Sequence, residues 1–119
     1  MSRPKEFLAW AVEMFGPVAL DRRERLSRFV EEAVELAHAE NMPRSLLANI
    51  VERVYSRQQG ATPKEIGQAQ ACLETFAESV GMSSEMEAEL EWNRVRMIPK
   101  EEWVRRHEAK VVLGIASRS

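Results

Sequence analysis

The sequence contains a single cysteine, Cys72, in its 119 residues. One cysteine excludes an intramolecular disulfide and a zinc site built from cysteines. Because Cys72 stands among apolar residues, we expect its thiol to be buried. No apolar run approaches the roughly 18 residues that a membrane helix requires, and the first residues lack the uncharged core of a signal peptide. These absences predict a protein of the reducing cytoplasm with no membrane partner.

An excess of charge of one sign is also missing, since 17 basic and 19 acidic residues give a net charge of -2. A chain without a basic excess has no general field that attracts nucleic acid, so we expect no nucleic-acid partner. Apolar residues make up 45% of the sequence, which is enough for one hydrophobic core. Length and composition therefore predict a single domain over residues 1–119.

Helix signals fill the sequence, and no strand pattern competes with them. Proline and glycine pairs break the helices, and Thr62-Pro63-Lys64-Glu65 has the pattern of a capping box with a proline at the first helical position. The apolar faces are broad for so short a chain, which predicts burial between subunits as well as within one. The predicted helices begin near Pro4, Leu20, Pro43, Thr62, Ser83 or Ser84, and Pro99.

Three glutamates crowd into one helical turn at Glu31, Glu32 and Glu35. At the helical angle per residue, Glu31 and Glu35 point about 40° apart, and Glu32 and Glu35 about 60° apart. Like charges at these spacings repel, whereas a hard divalent cation such as Mg²⁺ or Mn²⁺ would turn the repulsion into coordination. The alternative is a solvated acidic face in which Arg28 pairs with Glu31 and with Glu32. Both interpretations stay open on this helix alone.

Other candidate residues also have ordinary structural interpretations. Glu65 suits the third position of the capping box, and Glu52 would ordinarily lie on the surface of its helix. Trp92 could stack on a nucleobase, although a core position is more common for such a residue. His107 has no partner at the spacing of a metal ligand; we expect it on the surface, and the alternative is that it reaches an active site through the C-terminal segment. The residues by themselves predict an all-α bundle with a candidate divalent-cation site.

The order of three motifs resembles the all-α nucleoside triphosphate pyrophosphohydrolases, the MazG-like superfamily. The motifs are Glu31-Glu32-x-x-Glu35, then Glu65-Ile66-Gly67-Gln68, then Glu89-x-x-x-Asn93-x-x-Arg96, and the likeness covers roughly residues 14 to 98. The segments Phe15-Gly16-Pro17 and Arg28 to Leu36 are most similar to a bacterial and phage branch that includes the MazZ-type enzymes.

Two positions depart from the family pattern. Gln68 replaces the usual aspartate, although its amide oxygen, or Glu52, could serve a cation in its place. Glu89 replaces a phosphate-binding lysine, and nearby arginines could provide the positive charge instead. These are Arg94, Arg96, Arg105 and Arg106.

The resemblance implies a MazG-like helical bundle that assembles as a homo-oligomer, with a tetramer favoured over a dimer. It implies hydrolysis of a (deoxy)nucleoside triphosphate, with guanine preferred, to the monophosphate and pyrophosphate with the help of two or three Mg²⁺ or Mn²⁺ ions. A phage-encoded member would work in the host cytoplasm. The alternative is a helical module that has lost catalysis and binds a nucleotide or a protein, which Gln68 and Glu89 favour.

The resemblance also implies roles for single residues. Glu32, Glu35 and Glu65 would hold the metal ions, with Glu52 as a fourth carboxylate. Glu31 would support these ligands or act as general base, and Glu35 shares the catalytic assignment. The substrate would be bound by Asn93, Arg96, Arg28 and Trp92.

Overall fold

The computed structural model describes residues 2–119, and over this range it is helical without any strand. The all-α class expected from the sequence is therefore confirmed. A short 3-10 helix, Pro17–Leu20, joins the first two α-helices. The α-helices are α1 (Arg3–Phe15), α2 (Arg22–Ala39), α3 (Arg44–Tyr55), α4 (Thr62–Ser79), α5 (Ser84–Val95) and α6 (Lys100–Val112).

Local signals set most of the helix ends. Gly16 ends α1 with a φ of 81°, a conformation that favours glycine, and its N–H donates to the Val12 carbonyl. Gly81 has a φ of 75° directly after α4. At the start of α5, the Ser83 hydroxyl oxygen accepts a hydrogen bond from the Met86 N–H at 3.2 Å, so Ser83 is the cap.

Two predicted helix starts are corrected by the structure. The second helix does not begin at Leu20, because Leu20 ends the 3-10 helix and the Asp21 carboxylate caps α2 by accepting from the Glu24 N–H at 3.0 Å. The capping box at Thr62 is also wrong. Helix α4 begins at Thr62 itself, after Ala61, and no side chain caps it.

The chain divides into two compact units. The first unit comprises Met1–Glu35 with Glu89–Ser119, and the second comprises Leu36–Ala88. In the first unit, α1 packs against the 3-10 helix and against α6. Its core is aromatic: the Trp10 ring lies 5.2 Å from that of Trp103 and 6.3 Å from that of Trp92, and Phe7 lies 4.7 Å from Trp92 between ring centroids.

The last residues of the chain complete the first unit. The Ser119 hydroxyl donates to the Phe15 carbonyl at 2.6 Å and accepts from the Val18 N–H at 3.0 Å. A Cβ atom added at Gly16 would lie 2.7 Å from this hydroxyl oxygen, so the close approach requires glycine. The C-terminal segment is thereby held against the turn between α1 and the 3-10 helix.

The second unit is much less buried. Among residues 36–88, only Ala77 is buried; Leu47 and Phe76 are half-buried, and most other apolar side chains of α3 and α4 are exposed. Cys72 is exposed too, so its expected burial is wrong, because the described residues of its own unit leave this part of α4 uncovered. Among the helices within residues 2–119, none combines the length and the apolar character that a bilayer crossing needs.

Candidate carboxylate site

Glu32 and Glu35 form a carboxylate pair on α2. Partial burial, a hydrogen bond of the protonated Glu32 carboxyl with Glu35, and repulsion by Glu35 and Glu31 together raise the pKa of Glu32 to about 7. The positive charge of Lys110 opposes this shift. Glu32 is therefore about half protonated at pH 7, and a hard cation would favour the ionised form of its carboxyl.

Glu31 belongs to a different set of contacts. Its Oε1 atom lies 3.3 Å from Nη1 of Arg28 and 2.9 Å from Nζ of Lys110 on α6. Two cations therefore neutralise the Glu31 carboxylate, whereas Glu32 and Glu35 face each other. Of the three glutamates in this turn, Glu31 is ion-paired, whereas Glu32 and Glu35 repel each other.

Arg28 only partly follows the expectation from helical spacing. The predicted pair with Glu31 is confirmed, but its second carboxylate among the described residues is Glu24, whose Oε1 lies 3.5 Å from Nε of Arg28, and not Glu32. Arg28 Nη2 also donates to the Ile115 carbonyl. Because Glu24 is only 3% exposed, its charge requires a cation close by, and Arg28 provides it.

The buried carboxylate of Glu24 and the ring of His107 were not expected from the sequence. The Ser117 N–H donates to Glu24 Oε2 at 3.3 Å, and His107 Nδ1 lies 3.9 Å from Glu24 Oε1. His107 Nε2 is 2.8 Å from the Ser117 carbonyl. The surface position expected for His107 is wrong, because the C-terminal segment covers the ring. Only the fold brings these residues together, so no local pattern could have revealed the network.

An apolar cleft of about 610 Å³ lies beside the carboxylates of α2. Leu26, Val30 and Val34 line it from α2, and Ile115 lines it from the C-terminal segment. Glu31 and Glu35 are also among its lining residues. The first unit therefore places an apolar surface next to the acidic turn.

The acidic residues predicted in the second unit are described within that unit. Glu65 and Gln68 line one open cleft of about 900 Å³ at the connection between α3 and α4, as expected for positions one helical turn apart. The Glu65 carboxyl lies close to Gly60, in the loop between α3 and α4. A Cβ atom added at Gly60 would be 3.1 Å from Glu65 Cδ. Glu52 is exposed on α3, outside the residues that line this cleft.

A metal ion needs several ligands, and the acidic turn of α2 provides two neighbouring carboxylates, those of Glu32 and Glu35. Among residues 2–119, no three Asp, Glu, His or Cys side chains form a group that could hold a metal ion. In the first unit this agrees with the diversion of Glu31 toward Arg28 and Lys110. The Glu32–Glu35 pair still fits a divalent cation in its chemistry, because a hard ion would replace the retained proton and remove the repulsion.

The predicted substrate-binding residues Trp92 and Asn93 on α5 lie beside Arg96, the residue that follows this helix. Arg96 Nη2 donates to Asn93 Oδ1 at 2.7 Å, and the Arg96 guanidinium lies 5.2 Å from the centre of the Trp92 ring. Trp92 is only 5% exposed and contacts Phe7 and Trp10. Its core interpretation therefore fits the structure, and its covered ring offers no open face to a base. Arg96 and Asn93 remain accessible.

The other arginines near α5 and α6 are engaged with glutamates. Arg94 Nε lies 3.0 Å from Glu91 Oε2, and Arg105 and Arg106 both bind Glu102, whose pKa they lower to about 2. Glu89, at the position of the family lysine, pairs with Arg3 at 3.1 Å. Lys110 contacts the acidic turn from another helix through Glu31, and the motifs alone did not predict this contact.

A comparison of the chain with protein-family models, with curated proteins and with solved structures gave no match. The resemblance to the MazG-like superfamily therefore rests on the order of the three motifs alone.

Proposed function

We propose that this protein is a metal-dependent pyrophosphohydrolase. It converts a (deoxy)purine nucleoside triphosphate, with dGTP or GTP preferred, to the monophosphate and pyrophosphate. The observation that carries the proposal is the Glu32–Glu35 pair on α2, in which partial burial and the neighbouring carboxylates raise the pKa of Glu32 to about 7. A carboxylate pair of this kind is a strained arrangement that a hard cation relieves, and it stands at the position of the resembling motif.

The proposed cofactor is Mg²⁺ or Mn²⁺, as two or three ions. Glu32 and Glu35 are the proposed ligands in the first unit, and Glu65, together with Glu52 or Gln68, provides the proposed oxygen ligands in the second. When bound, the ions would neutralise the charge of the triphosphate and acidify the attacking water. Loading of the first unit would release the proton that Glu32 and Glu35 retain.

Arg96, Arg28 and Glu31 have proposed roles that do not depend on direct contact with a metal ion. Arg96 presents a guanidinium, oriented by Asn93, that can donate two parallel hydrogen bonds to phosphate oxygens. Arg28 and Glu31 form an ion pair next to the acidic turn, so Glu31 is held in place as support for the ligands or as general base. Arg28 is also held by Glu24 and Ile115, which makes it a fixed positive charge near the substrate.

The first test is a screen of the eight common nucleoside triphosphates for release of pyrophosphate and of orthophosphate. We expect pyrophosphate from dGTP with Mn²⁺ or Mg²⁺, and none after chelation of the metal. Glu35→Gln keeps the size of the side chain and removes one charge, so turnover should fall at least about a hundredfold. Glu40→Gln, at the turn that follows α2, is the matched control. Full activity of the Glu35 variant would show that the proposed site is wrong.

A second candidate function is a helical binding module without catalysis. Glu89 favours it, because this carboxylate is paired with Arg3 where the resembling enzymes bind phosphate through a lysine. Calorimetry with Mn²⁺ and dGTP, next to the product assay, separates the two functions. A binding module gives heat but no pyrophosphate, whereas the enzyme gives both.

The proposed assembly is a homo-oligomer, with a tetramer favoured over a dimer. Leu46, Ile50 and Val54 recur every four residues along α3, and their exposed fractions are 46%, 43% and 48%. A stripe of this kind is uncommon on the surface of a monomer, and a second copy of the chain would cover it. Sedimentation velocity at several protein concentrations would give the mass of the assembly, and a monomer throughout would contradict this part.

A further inference from the structure

Lys110 brings a positive charge from α6 to the acidic turn of α2. Its Nζ atom lies 2.9 Å from Glu31 Oε1, and the lysine side chain is 31% exposed. The field of the ammonium also reaches Glu32, whose ionised form it favours. Lys110 is therefore both close to the Glu32–Glu35 pair and accessible from solvent.

The position of Lys110 is fixed by the preceding turn of its helix. His107, three residues earlier, lies with Nε2 2.8 Å from the Ser117 carbonyl and with its ring 4.9 Å from that of Phe15. These contacts attach α6 to the rest of the first unit. The backbone of Lys110 is thus held in place while its flexible side chain can still change its partner.

Glu31 can release Lys110 without losing all of its compensation. Arg28 Nη1 remains 3.3 Å from the same Glu31 oxygen, so one cation stays with the carboxylate when the other leaves. Arg94, Arg105 and Arg106, by contrast, are each tied to a glutamate on their own helix. Lys110 is the cation whose departure the acidic turn tolerates best.

We propose that Lys110 is a nucleotide-binding residue whose ammonium leaves Glu31 and binds a non-bridging oxygen of the polyphosphate. Lysine is suited to this role because it acts as a point charge on a long, flexible stem. The inference rests on the proposed function, and it names the group that binds the polyphosphate at the same site. It also gives Glu31 a role, as the counter-ion that holds Lys110 before the nucleotide arrives.

The test compares Lys110→Met, Lys110→Arg and Lys100→Met, the last at the exposed first residue of the same helix. With dGTP and saturating Mn²⁺, Lys110→Met should raise KM roughly tenfold or more, which corresponds to one charge-assisted hydrogen bond. Lys110→Arg should recover most of the loss, and Lys100→Met should match the wild type. The affinity for Mn²⁺ without nucleotide should not weaken in Lys110→Met, because the lost charge repelled the ion.

Each outcome decides between the claims. An unchanged KM with a lower Tm in Lys110→Met would mean that the lysine only forms a structural ion pair, and would overturn the inference while the proposed function stands. If the wild type releases no pyrophosphate from any nucleotide, the proposed function fails first. Calorimetric binding of dGTP then tests Lys110 alone: weaker binding by Lys110→Met supports the inference, and equal binding or none overturns it.

Discussion

The two units of the chain differ in how they bury their apolar residues. The first unit contains all three tryptophans of the sequence, and its rings pack edge to face around Trp10. The second contains the one tyrosine, Tyr55, which is 85% exposed. A few large rings thus give one unit a core of its own, whereas the aliphatic stripes of the other remain uncovered in the single chain.

The difference predicts where each unit obtains its stability. Ion pairs and the C-terminal segment add to the aromatic core of the first unit, as shown by the contacts of Glu24 with Arg28 and Ser117. The second unit leaves most of its large apolar side chains exposed, and we propose that a second copy of the chain covers them. The probes separate well, because the tryptophans report only on the first unit and Cys72 only on the second.

The largest effect is expected from a charge in the apolar stripe of the second unit. Ile50→Asp should dissociate the assembly, because an aspartate cannot be buried there without a partner. Reaction of Cys72 with a thiol reagent should become faster, while tryptophan fluorescence changes little. Asn49→Asp adds the same charge at the neighbouring residue of α3 and is the control. An assembly that survives Ile50→Asp would remove the proposed difference between the units.

A core truncation in the first unit should have the next largest effect. Trp92→Ala should lower the free energy of unfolding by about 3–5 kcal/mol, because it leaves a cavity among Phe7 and Trp10. Trp92→Phe should cost clearly less and leave KM for the nucleotide unchanged, since the ring is covered. Urea unfolding followed by the fluorescence of the other tryptophans measures both. A large KM change in the phenylalanine variant would contradict the core assignment.

Two glycine substitutions compare the units more finely. Gly16→Ala should cost about 1–3 kcal/mol, because the backbone conformation there favours glycine and the new Cβ would press on the Ser119 hydroxyl. Gly67 lies within α4, and a Cβ atom added there would have no neighbouring atom within 4 Å. Gly67→Ala should therefore raise the free energy of unfolding by about 0.5–1 kcal/mol. Thermal unfolding of both variants tests the pair. Equal shifts of the same sign would mean that the C-terminal contact with Gly16 is unimportant.

The smallest effect is the pH dependence that the carboxylate pair gives to the first unit. The folded pKa of Glu32, about 7, lies above its ordinary value of 4.5, so the native state holds a proton that the unfolded chain releases between these values. Stability therefore falls as pH rises from about 4.5 to 7 and loses nothing more above that range. Because Glu32 is largely solvated, the change in Tm should be small.

The variants for this effect are simple to interpret. Glu32→Gln should flatten the pH dependence of Tm in the metal-free protein, whereas Glu40→Gln should leave it as in the wild type. Mn²⁺ added at pH 8 should stabilise the wild type, because an ion replaces the proton that is missing there. A Glu32→Gln protein with an unchanged pH slope would assign the titration to another group.

Local chemistry explains why the helices could be predicted from the sequence. Pro43, Gly81 and Pro99 each stand at or next to a helix end, as their backbone preferences require. The prediction at Thr62 was wrong. The pattern makes Thr62 the side-chain cap that precedes the helix, whereas Thr62 is already the first residue of α4. A capping motif shows that a helix starts there, and the surrounding packing fixes the residue at which it does.

The candidate site was predictable only in part, for a physical reason. Helical periodicity places Glu32 and Glu35 on neighbouring positions, but it cannot show that Lys110 draws Glu31 away. The contact of Glu24 with Ser117 joins residues 93 positions apart and depends on the whole fold of the first unit. Cys72 shows the same limit, since a periodic pattern identifies an apolar face without revealing what covers it.

The contact between Ser119 and Phe15 also affects how the chain folds during its synthesis. These residues are 104 positions apart, so this contact of the first unit cannot form until the residues between them have left the ribosome. The helices of the second unit leave the ribosome earlier, and their aliphatic side chains are then exposed to water. We therefore expect chaperones to bind the nascent chain mainly while α3 and α4 are outside the exit tunnel of the ribosome and Ser119 is still inside it.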